Sequence, residues 1–149
     1  ERFHARLNAK TKTYCYRLWN SEVPCVFQRK FVHIDSRKLD VEAMRRAASC
    51  FIGEHDFSAF CANKHMKKSK VRTIYDVTIN RDGDKIIIDY EGDGFLYNMV
   101  RIMTGTLIEV GLGQRHPEDI PEIIARKDRQ AAGFTAQAQG LFLMEVFYE

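Results

Sequence analysis

Two strand-like segments joined by Asp82-Gly83 constrain the fold of this chain most strongly. Residues 72–80 and 85–90 are rich in β-branched and aromatic side chains, which favour strands. Asp-Gly supplies the positive φ that a tight hairpin turn requires. Because residues 86–88 are three consecutive isoleucines, we expect the second strand to lie centrally, with both of its faces partly covered.

Other segments predict the elements that surround this hairpin. Three have the composition of strands: residues 11–19, 30–35 and 141–148. Three have the apolar spacing of helices: residues 41–51, 96–110 and 116–125. Asp40 is placed to cap the first helix and Gly53 to end it, and residues 55–60 are predicted as a single helical turn. Grouped strands with interspersed helices predict an α+β fold, an antiparallel or mixed sheet packed against helices.

The composition is that of one globular domain covering residues 1–149. Hydrophobic residues make up 45% and charged residues 29% of the chain, which is unlike a disordered tail. No apolar run approaches the roughly 20 residues that span a bilayer. None of the four cysteines forms a CxxC pair, so we expect buried thiols, with neither a metal site nor disulfides, and a reducing cytoplasm as the location.

Basic residues cluster in one loop although the net charge is only +3. Five cations lie within nine residues that contain no acid: Lys64, Lys67, Lys68, Lys70 and Arg72. Such a cluster either contacts phosphates of a nucleic acid or is an ordinary solvated loop. The sequence leaves both interpretations open.

Arg101 is the one cation near the start of the apolar helix predicted at residues 96–110. A cation in so apolar a segment is costly to bury without an anion. It either pairs with a carboxylate of its own domain or reaches the surface, or it faces a cleft where its guanidinium can bind an anionic group. Asp56 is the best lone acid, but no second carboxylate or base accompanies it.

Tyr14 and Tyr16 are two residues apart and therefore share one face of a strand. Core packing is the ordinary explanation for such a pair. Because Lys10 and Lys12 are close in sequence, stacking of an unpaired base on an aromatic face is the alternative.

Eight short motifs occur in a fixed order along the chain. They are FHAR (3–6), KTYCY (12–16), GEHDFSAF (53–60), RTI (72–74), GDGFLYNMVR (92–101), G-x-x-x-x-VG (105–111), KDR (127–129) and GLFL (140–143). The ordered set resembles the C-terminal part of the tRNA pseudouridine synthase A (TruA) family. No phosphate-binding loop, dinucleotide fingerprint or zinc-protease motif is present.

The resemblance implies isomerisation of uridine to pseudouridine in the anticodon arm of tRNA, with no cofactor and no metal. It implies that Tyr14 stacks on the flipped base, that Arg101 pairs with a catalytic aspartate, and that Phe95 and Leu96 line the pocket. The further residues expected to bind substrate are the loop cations Lys67, Lys68, Lys70 and Arg72. Family members pair as homodimers, and no membrane partner is implied.

The nucleophile that the family requires is not in this chain. In the family it lies in a motif resembling GRTDAGVHA, upstream of FHAR, and none of the ten aspartates here has that context. We therefore expect residues 1–149 to be the C-terminal domain of a longer enzyme and to be inactive alone. A non-catalytic RNA-binding module and a dimerisation domain without an RNA role are the alternatives.

Overall fold

The computed structural model describes residues 9–25 and 30–148. Within them the strands are β1 (Ala9–Trp19), β2 (His33–Ile34), β3 (Gly53–Asp56), β4 (Val71–Asp82), β5 (Lys85–Gly92) and β6 (Leu141–Tyr148). The α-helices are α1 (Val41–Ser49), α2 (Met99–Gly111) and α3 (Ile120–Arg126). Short 3-10 turns occupy Ser58–Phe60, Pro117–Asp119, Arg129–Ala131 and Ala138–Gly140.

The strands form one mixed sheet in the order β2-β1-β5-β4-β3, and β6 also pairs with β1. Strands β1 and β5, β4 and β5, β3 and β4, and β1 and β6 are antiparallel, whereas β1 and β2 are parallel. Mixed pairing with helices packed on the sheet confirms the predicted α+β fold class.

The β4–β5 hairpin is the predicted one, with its turn one residue later. Asp82 pairs with Lys85, so the two turn residues are Gly83 and Asp84, and Gly83 supplies the positive φ of 61°. Strand β5 lies between β1 and β4. Ile86 and Ile88 are fully buried and Ile87 is half-buried, as expected for a central strand.

The hydrophobic core lies between the sheet and the helices. Tyr16 and Leu18 of β1 are fully buried, and almost every residue of α2 is buried. Phe60 makes edge-to-face contacts with Phe51 and Phe57, with ring centroids 5.2 and 6.3 Å apart. These aromatic rings fill the space between α1, the Ser58–Phe60 turn and the sheet.

Three of the predicted helix boundaries were wrong. Asp40 caps α1 as expected, accepting a hydrogen bond from Ala43 N at 3.1 Å, but the helix ends at Ser49. Gly53 has a φ of 114° and begins strand β3, so the first two residues of the predicted 55–60 turn are strand and only Ser58–Phe60 is helical.

Helix α2 begins at Met99, and the residues before it form a turn. Leu96 is buried although it is not helical. Its position in the sequence continues the apolar spacing of α2, which is why the helix was predicted to begin there. Pro117–Asp119 is a 3-10 turn that precedes α3, and only His33–Ile34 of residues 30–35 is strand.

Candidate active site

Tyr14 lies in the middle of the sheet, next to the turn between β5 and α2. It pairs with Tyr90 of β5 and Leu143 of β6. Its ring contacts Phe95 edge to face, with centroids 5.1 Å apart and planes at 87°. Tyr14 is half-buried, so part of its surface remains accessible.

A small pocket of about 100 Å³ opens beside the Tyr14 ring. Its lining residues are Tyr14, Phe95, Leu96, Asn98, Met99, Val100 and Leu141. The structure therefore brings together three residues that the sequence singled out separately. Apolar walls with a single amide suit a flat heterocycle that makes few hydrogen bonds.

The turn that forms one side of this pocket is attached to strand β4. Asp93 N donates to Thr73 O, and Thr73 N donates to Asp93 Oδ1, both at 2.9 Å. A Cβ at Gly92 would lie 2.9 Å from Thr73 O, so only glycine permits this approach. The backbone of residues 92–98 is thus positioned by the sheet.

Asn98 ends the turn in the left-handed region, with a φ of 59°, which asparagine tolerates better than most residues. Its side chain makes no capping hydrogen bond to the helix. Instead, Oδ1 accepts a hydrogen bond from Arg101 Nη1 at 3.2 Å. Asn98 was not predicted as a site residue, because the helix was expected to begin at Leu96 and residue 98 was therefore expected to be helical.

Arg101 is half-buried in the first turn of α2 and is bound by neutral acceptors. Its Nε donates to Ala136 O at 2.7 Å, and Ala136 N donates back to Arg101 O at 3.0 Å. None of the ion pairs formed among the described residues includes Arg101. The guanidinium is therefore neither paired with a carboxylate of this part of the chain nor simply surface-exposed.

Tyr14 and Arg101 lie on the same side of the sheet and are linked through Asn98. Tyr14 and Asn98 line one pocket, and Arg101 donates to Asn98. The arrangement that would exclude a shared site, with the two residues on opposite faces, is not found.

Tyr16 binds the segment of residues 132–140, and the same segment binds Arg101. The Tyr16 hydroxyl donates to Gln137 O at 2.5 Å, next to the Ala136 carbonyl that binds Arg101. Burial raises the pKa of Tyr16 far above its ordinary value, and the charge of Arg101 only partly opposes this. Tyr16 therefore stays protonated and is a core residue, as the ordinary explanation of the pair predicted.

His33, whose ring centroid lies 6.2 Å from that of Tyr16, binds the same segment. Its Nδ1 accepts a hydrogen bond from Gln137 N at 3.3 Å, so the proton of the neutral ring is on Nε2. Burial lowers the pKa of His33, although Asp35 opposes the shift. No sequence pattern indicated a role for this residue, because its hydrogen-bond partner Gln137 is distant along the chain.

The predicted basic loop divides into two parts. Lys67 and Lys68 are exposed, and Arg72 donates Nη1 to the carbonyls of Ser69 and Val71 at 2.8 and 2.7 Å. Lys70 instead lines a groove of about 570 Å³ together with Lys64, Lys127 and Arg129. Arg72 thus has a role in shaping the loop, and the groove adds cations that the loop alone did not reveal.

Asp56 is a structural anion. Its Oδ1 accepts hydrogen bonds from the backbone and the hydroxyl of Ser58, and Oδ2 lies 3.9 Å from Lys127 Nζ. Burial acts to raise the pKa of Asp56, but Ser58, Lys127 and Lys70 together lower it below its ordinary value. The carboxyl therefore stays ionised and is a poor proton donor near neutral pH.

Several sequence-based expectations concern other regions. The FHAR motif lies outside the described residues. All four cysteines are unpaired; Cys15, Cys25 and Cys61 are buried and Cys50 is half-buried. Among residues 9–25 and 30–148, no three His, Cys, Asp or Glu side chains are grouped as metal ligands. The helices of this part of the chain are all too short or too polar to cross a membrane.

Comparisons with known proteins identify the family. Residues 47–149 match the family model described as tRNA pseudouridine synthase. The chain is 50% identical over 146 residues to tRNA pseudouridine synthase A of Acetivibrio thermocellus, covering 98% of this chain and 60% of that protein. It is 52% identical over 139 residues to tRNA pseudouridine synthase A of Halalkalibacterium halodurans, covering 93% and 53%.

A third relative, tRNA pseudouridine synthase A of Oceanobacillus iheyensis, is 49% identical over 150 residues, covering 100% of this chain and 59% of that protein. The chain thus spans between 53% and 60% of the length of these three relatives. On the family match and these identities, the chain belongs to the tRNA pseudouridine synthase family.

Proposed function

We propose that this chain supplies one part of the active site of an enzyme that isomerises uridine to pseudouridine in the anticodon arm of tRNA. The observation that carries the proposal is that Tyr14 and Asn98 line one pocket and that Arg101 donates a hydrogen bond to Asn98. The remainder of the site, including the nucleophilic aspartate, is assigned to a part of the complete protein outside residues 1–149. The relatives are longer than this chain, which supports that division.

In the proposed reaction the aspartate carboxylate attacks the target nucleotide and the bond between C1′ and N1 breaks. The freed uracil turns in the pocket between Tyr14, Phe95 and Leu96, and its C5 bonds to C1′. The bond that the carboxylate formed to the nucleotide breaks in this step, which returns the free carboxylate. The C5 proton is then lost and N1 gains a proton, so reactant and product have the same composition. No redox partner, cofactor or metal ion is needed for this balance.

Arg101 is proposed to hold the aspartate. Its Nε and Nη1 are occupied by Ala136 and Asn98, which fixes the guanidinium plane while Nη2 makes no hydrogen bond within the described residues. A charge-assisted bond to a carboxylate is shorter and stronger than a bond between neutral groups. Arg101 would thereby keep the nucleophile ionised and aimed at the pocket.

Tyr14 is proposed to stack on the flipped uracil and to assist removal of its C5 proton. Extruding a base from its stack costs a few kcal/mol, and stacking on an aromatic ring returns roughly 1–3 kcal/mol. The contact with Phe95 keeps the Tyr14 ring upright on the sheet. Lys67, Lys68, Lys70 and Arg72 are proposed to lie near phosphates of the tRNA.

We also propose that the complete protein is a cytoplasmic homodimer. Its four unpaired thiols suit a reducing compartment. Leu143, Met144 and Phe147 of β6 are each more than half exposed, and such an apolar strand at a sheet edge is a candidate contact surface.

Release of tritium from tRNA labelled at uridine C5 tests the proposed activity, because forming the bond between C5 and C1′ expels that hydrogen. The complete protein should release tritium without added metal or nucleotide, and residues 1–149 alone should release none. Turnover by residues 1–149 alone would place the nucleophile inside this chain. Failure of the complete protein on undermodified tRNA would reject the activity.

A further inference from the structure

The described part of the chain also contains a cation-lined groove of about 570 Å³. One wall is the segment between Ser58 and Lys70, and the other is the turn of residues 127–130. Lys64 and Lys70 come from the first wall, and Lys127 and Arg129 come from the second. Cations from segments 60 residues apart thus meet on one surface, which the sequence pattern did not indicate.

The lysines of the groove outnumber the anions that they contact. Lys127 Nζ lies 3.9 Å from Asp56 Oδ2, and Lys70 also lowers the pKa of Asp56. Two lysines from opposite walls therefore face one carboxylate. Since Asp128 is the one acid in the lining, the groove presents four cations against two carboxylates and suits an anionic ligand.

Arg129 fixes the second wall. Its Nη1 donates to Gly133 O at 2.8 Å and its Nη2 donates to Thr135 Oγ1 at 3.1 Å. The guanidinium is thus used for structure. Lys127 faces Asp56 and Lys70 Nζ donates to Lys64 O at 3.4 Å, but an ammonium group has three N–H donors, so Lys64, Lys70 and Lys127 retain donors for a ligand.

Tyr97 connects the groove to the pocket. Ala62, which lines the groove, donates its N–H to Tyr97 O at 3.1 Å. The residues on either side of Tyr97, Leu96 and Asn98, line the Tyr14 pocket. Tyr97 is itself 66% exposed, the highest value among the exposed large hydrophobic residues of the described part of the chain.

We propose that a single-stranded stretch of RNA runs from the Tyr14 pocket over the Tyr97 ring into this groove. The base next to the flipped uridine stacks on Tyr97, and the phosphates beyond it are held by Lys64, Lys70 and Lys127. Alternation of an exposed aromatic ring with cations is how proteins hold unpaired nucleic acid strands. The inference rests on the proposed function in taking RNA as the ligand.

Titration of labelled tRNA with the complete protein at several salt concentrations tests this path. Replacing Lys64 and Lys127 together by Gln should lower the slope of log affinity against log salt by about 0.7 per lysine. Tyr97→Ala should weaken binding by roughly tenfold, whereas Tyr97→Phe should bind like the unmodified protein.

Lys38→Gln is the matched control. Lys38 is exposed and lines a cavity with Gly111, at the opposite end of α2 from Met99, so its replacement should leave affinity and slope unchanged. The proposal requires both the lysine effect and the Tyr97 effect, and the absence of either overturns it. Because the readout is binding, a protein that binds as predicted but releases no tritium would reject the proposed activity and retain the groove.

Discussion

Arg101 Nη1 donates a hydrogen bond to Asn98 Oδ1 over 3.2 Å, and this bond joins the one cation of α2 to the wall of the Tyr14 pocket. Asn98 is a non-glycine residue in the left-handed region. This backbone conformation costs conformational free energy, and the hydrogen bond from Arg101 to the side-chain amide oxygen of Asn98 helps to offset that cost.

Replacing Asn98 should separate the conformational role of this residue from its role as an acceptor. Asn98→Gly keeps the left-handed backbone and removes the acceptor, whereas Asn98→Ala removes both. We expect both variants to lower the activity of the complete protein. We expect the alanine variant to be less stable than the glycine variant by about 1 kcal/mol. Urea denaturation and tritium release measure the two effects, and equal stability of the variants would contradict the backbone argument.

Arg101→Met should destabilise residues 1–149 by about 1.5–3 kcal/mol, the value of hydrogen bonds that involve a charged group. Breaking a buried ion pair would cost more, about 3–5 kcal/mol, but no carboxylate partner of Arg101 lies in the described part of the chain. Chemical denaturation measures the difference. Arg46→Met is the control, since Arg46 is largely exposed and its pair with Glu118 is long, at 3.4 Å; it should change stability by less than about 1 kcal/mol.

Gly105→Ala should destabilise the chain strongly although alanine is the better helix former. The substitution gains up to about 1 kcal/mol in helix propensity, but the new Cβ would lie 1.7 Å from the carbonyl oxygen of Phe134. The segment that carries Ala136 would have to move away from α2. We expect a net loss of about 3 kcal/mol, measured by thermal or urea unfolding.

Gly113→Ala provides the comparison for that variant. Gly113 has a φ of 79° and no atom within 4 Å of an added Cβ, so only backbone strain of about 1–2 kcal/mol is expected. A smaller loss at Gly105 than at Gly113 would show that the segment does not pack on α2 as described.

Stability should fall as pH is lowered through the titration range of His33. Burial holds the pKa of His33 below its ordinary value of 6.5 in the folded chain, so the unfolded chain binds the proton more readily. The stabilising contribution is therefore complete above pH 6.5 and declines as pH falls from there towards the folded pKa. Asp35 beside it has a pKa lowered from 3.8 and does not titrate in this range.

Unfolding free energies at pH of about 7.5 and about 5.5 measure this decline. His33→Leu should reduce the difference between the two values, and His65→Gln, a change at an exposed histidine, should leave it unchanged. An identical pH dependence in the His33 variant would assign the titration to other groups.

Local patterns in the sequence predicted the parts of the fold that local physics determines. The turn of the β4–β5 hairpin, the Asp40 cap and strand β6 depend on neighbouring residues, and their positions were found to within a residue, while the two hairpin strands each extend two residues beyond their predicted ends. The start of α2 was missed because buried Leu96 continues the apolar spacing of the helix while Asn98 breaks it with a positive φ. Gly53 was read as a helix end, because a positive φ serves equally well at the start of a strand.

The site was only partly predictable, because some of its contacts depend on tertiary packing between distant segments. Tyr14, Phe95, Leu96 and Arg101 belong to motifs, and their proposed roles come from the resemblance. Ala136 and Lys127 lie 35 and 26 residues beyond Arg101, so their contributions depend on how residues 127–140 pack against α2 and the loop before β4. Lys127 belongs to the KDR motif, but neither its local sequence nor that of Ala136 indicates these contacts.

The central claim is that Arg101 and Tyr14 act on one nucleotide together with a group outside this chain. The rate of tritium release in single turnover, with the complete protein saturated by labelled tRNA, tests it most directly. Arg101→Met and Tyr14→Ala should each lower this rate by at least about 100-fold, while tRNA affinity changes by less than about tenfold for Arg101→Met. A rate within about threefold of the unmodified protein for either folded variant would contradict the account.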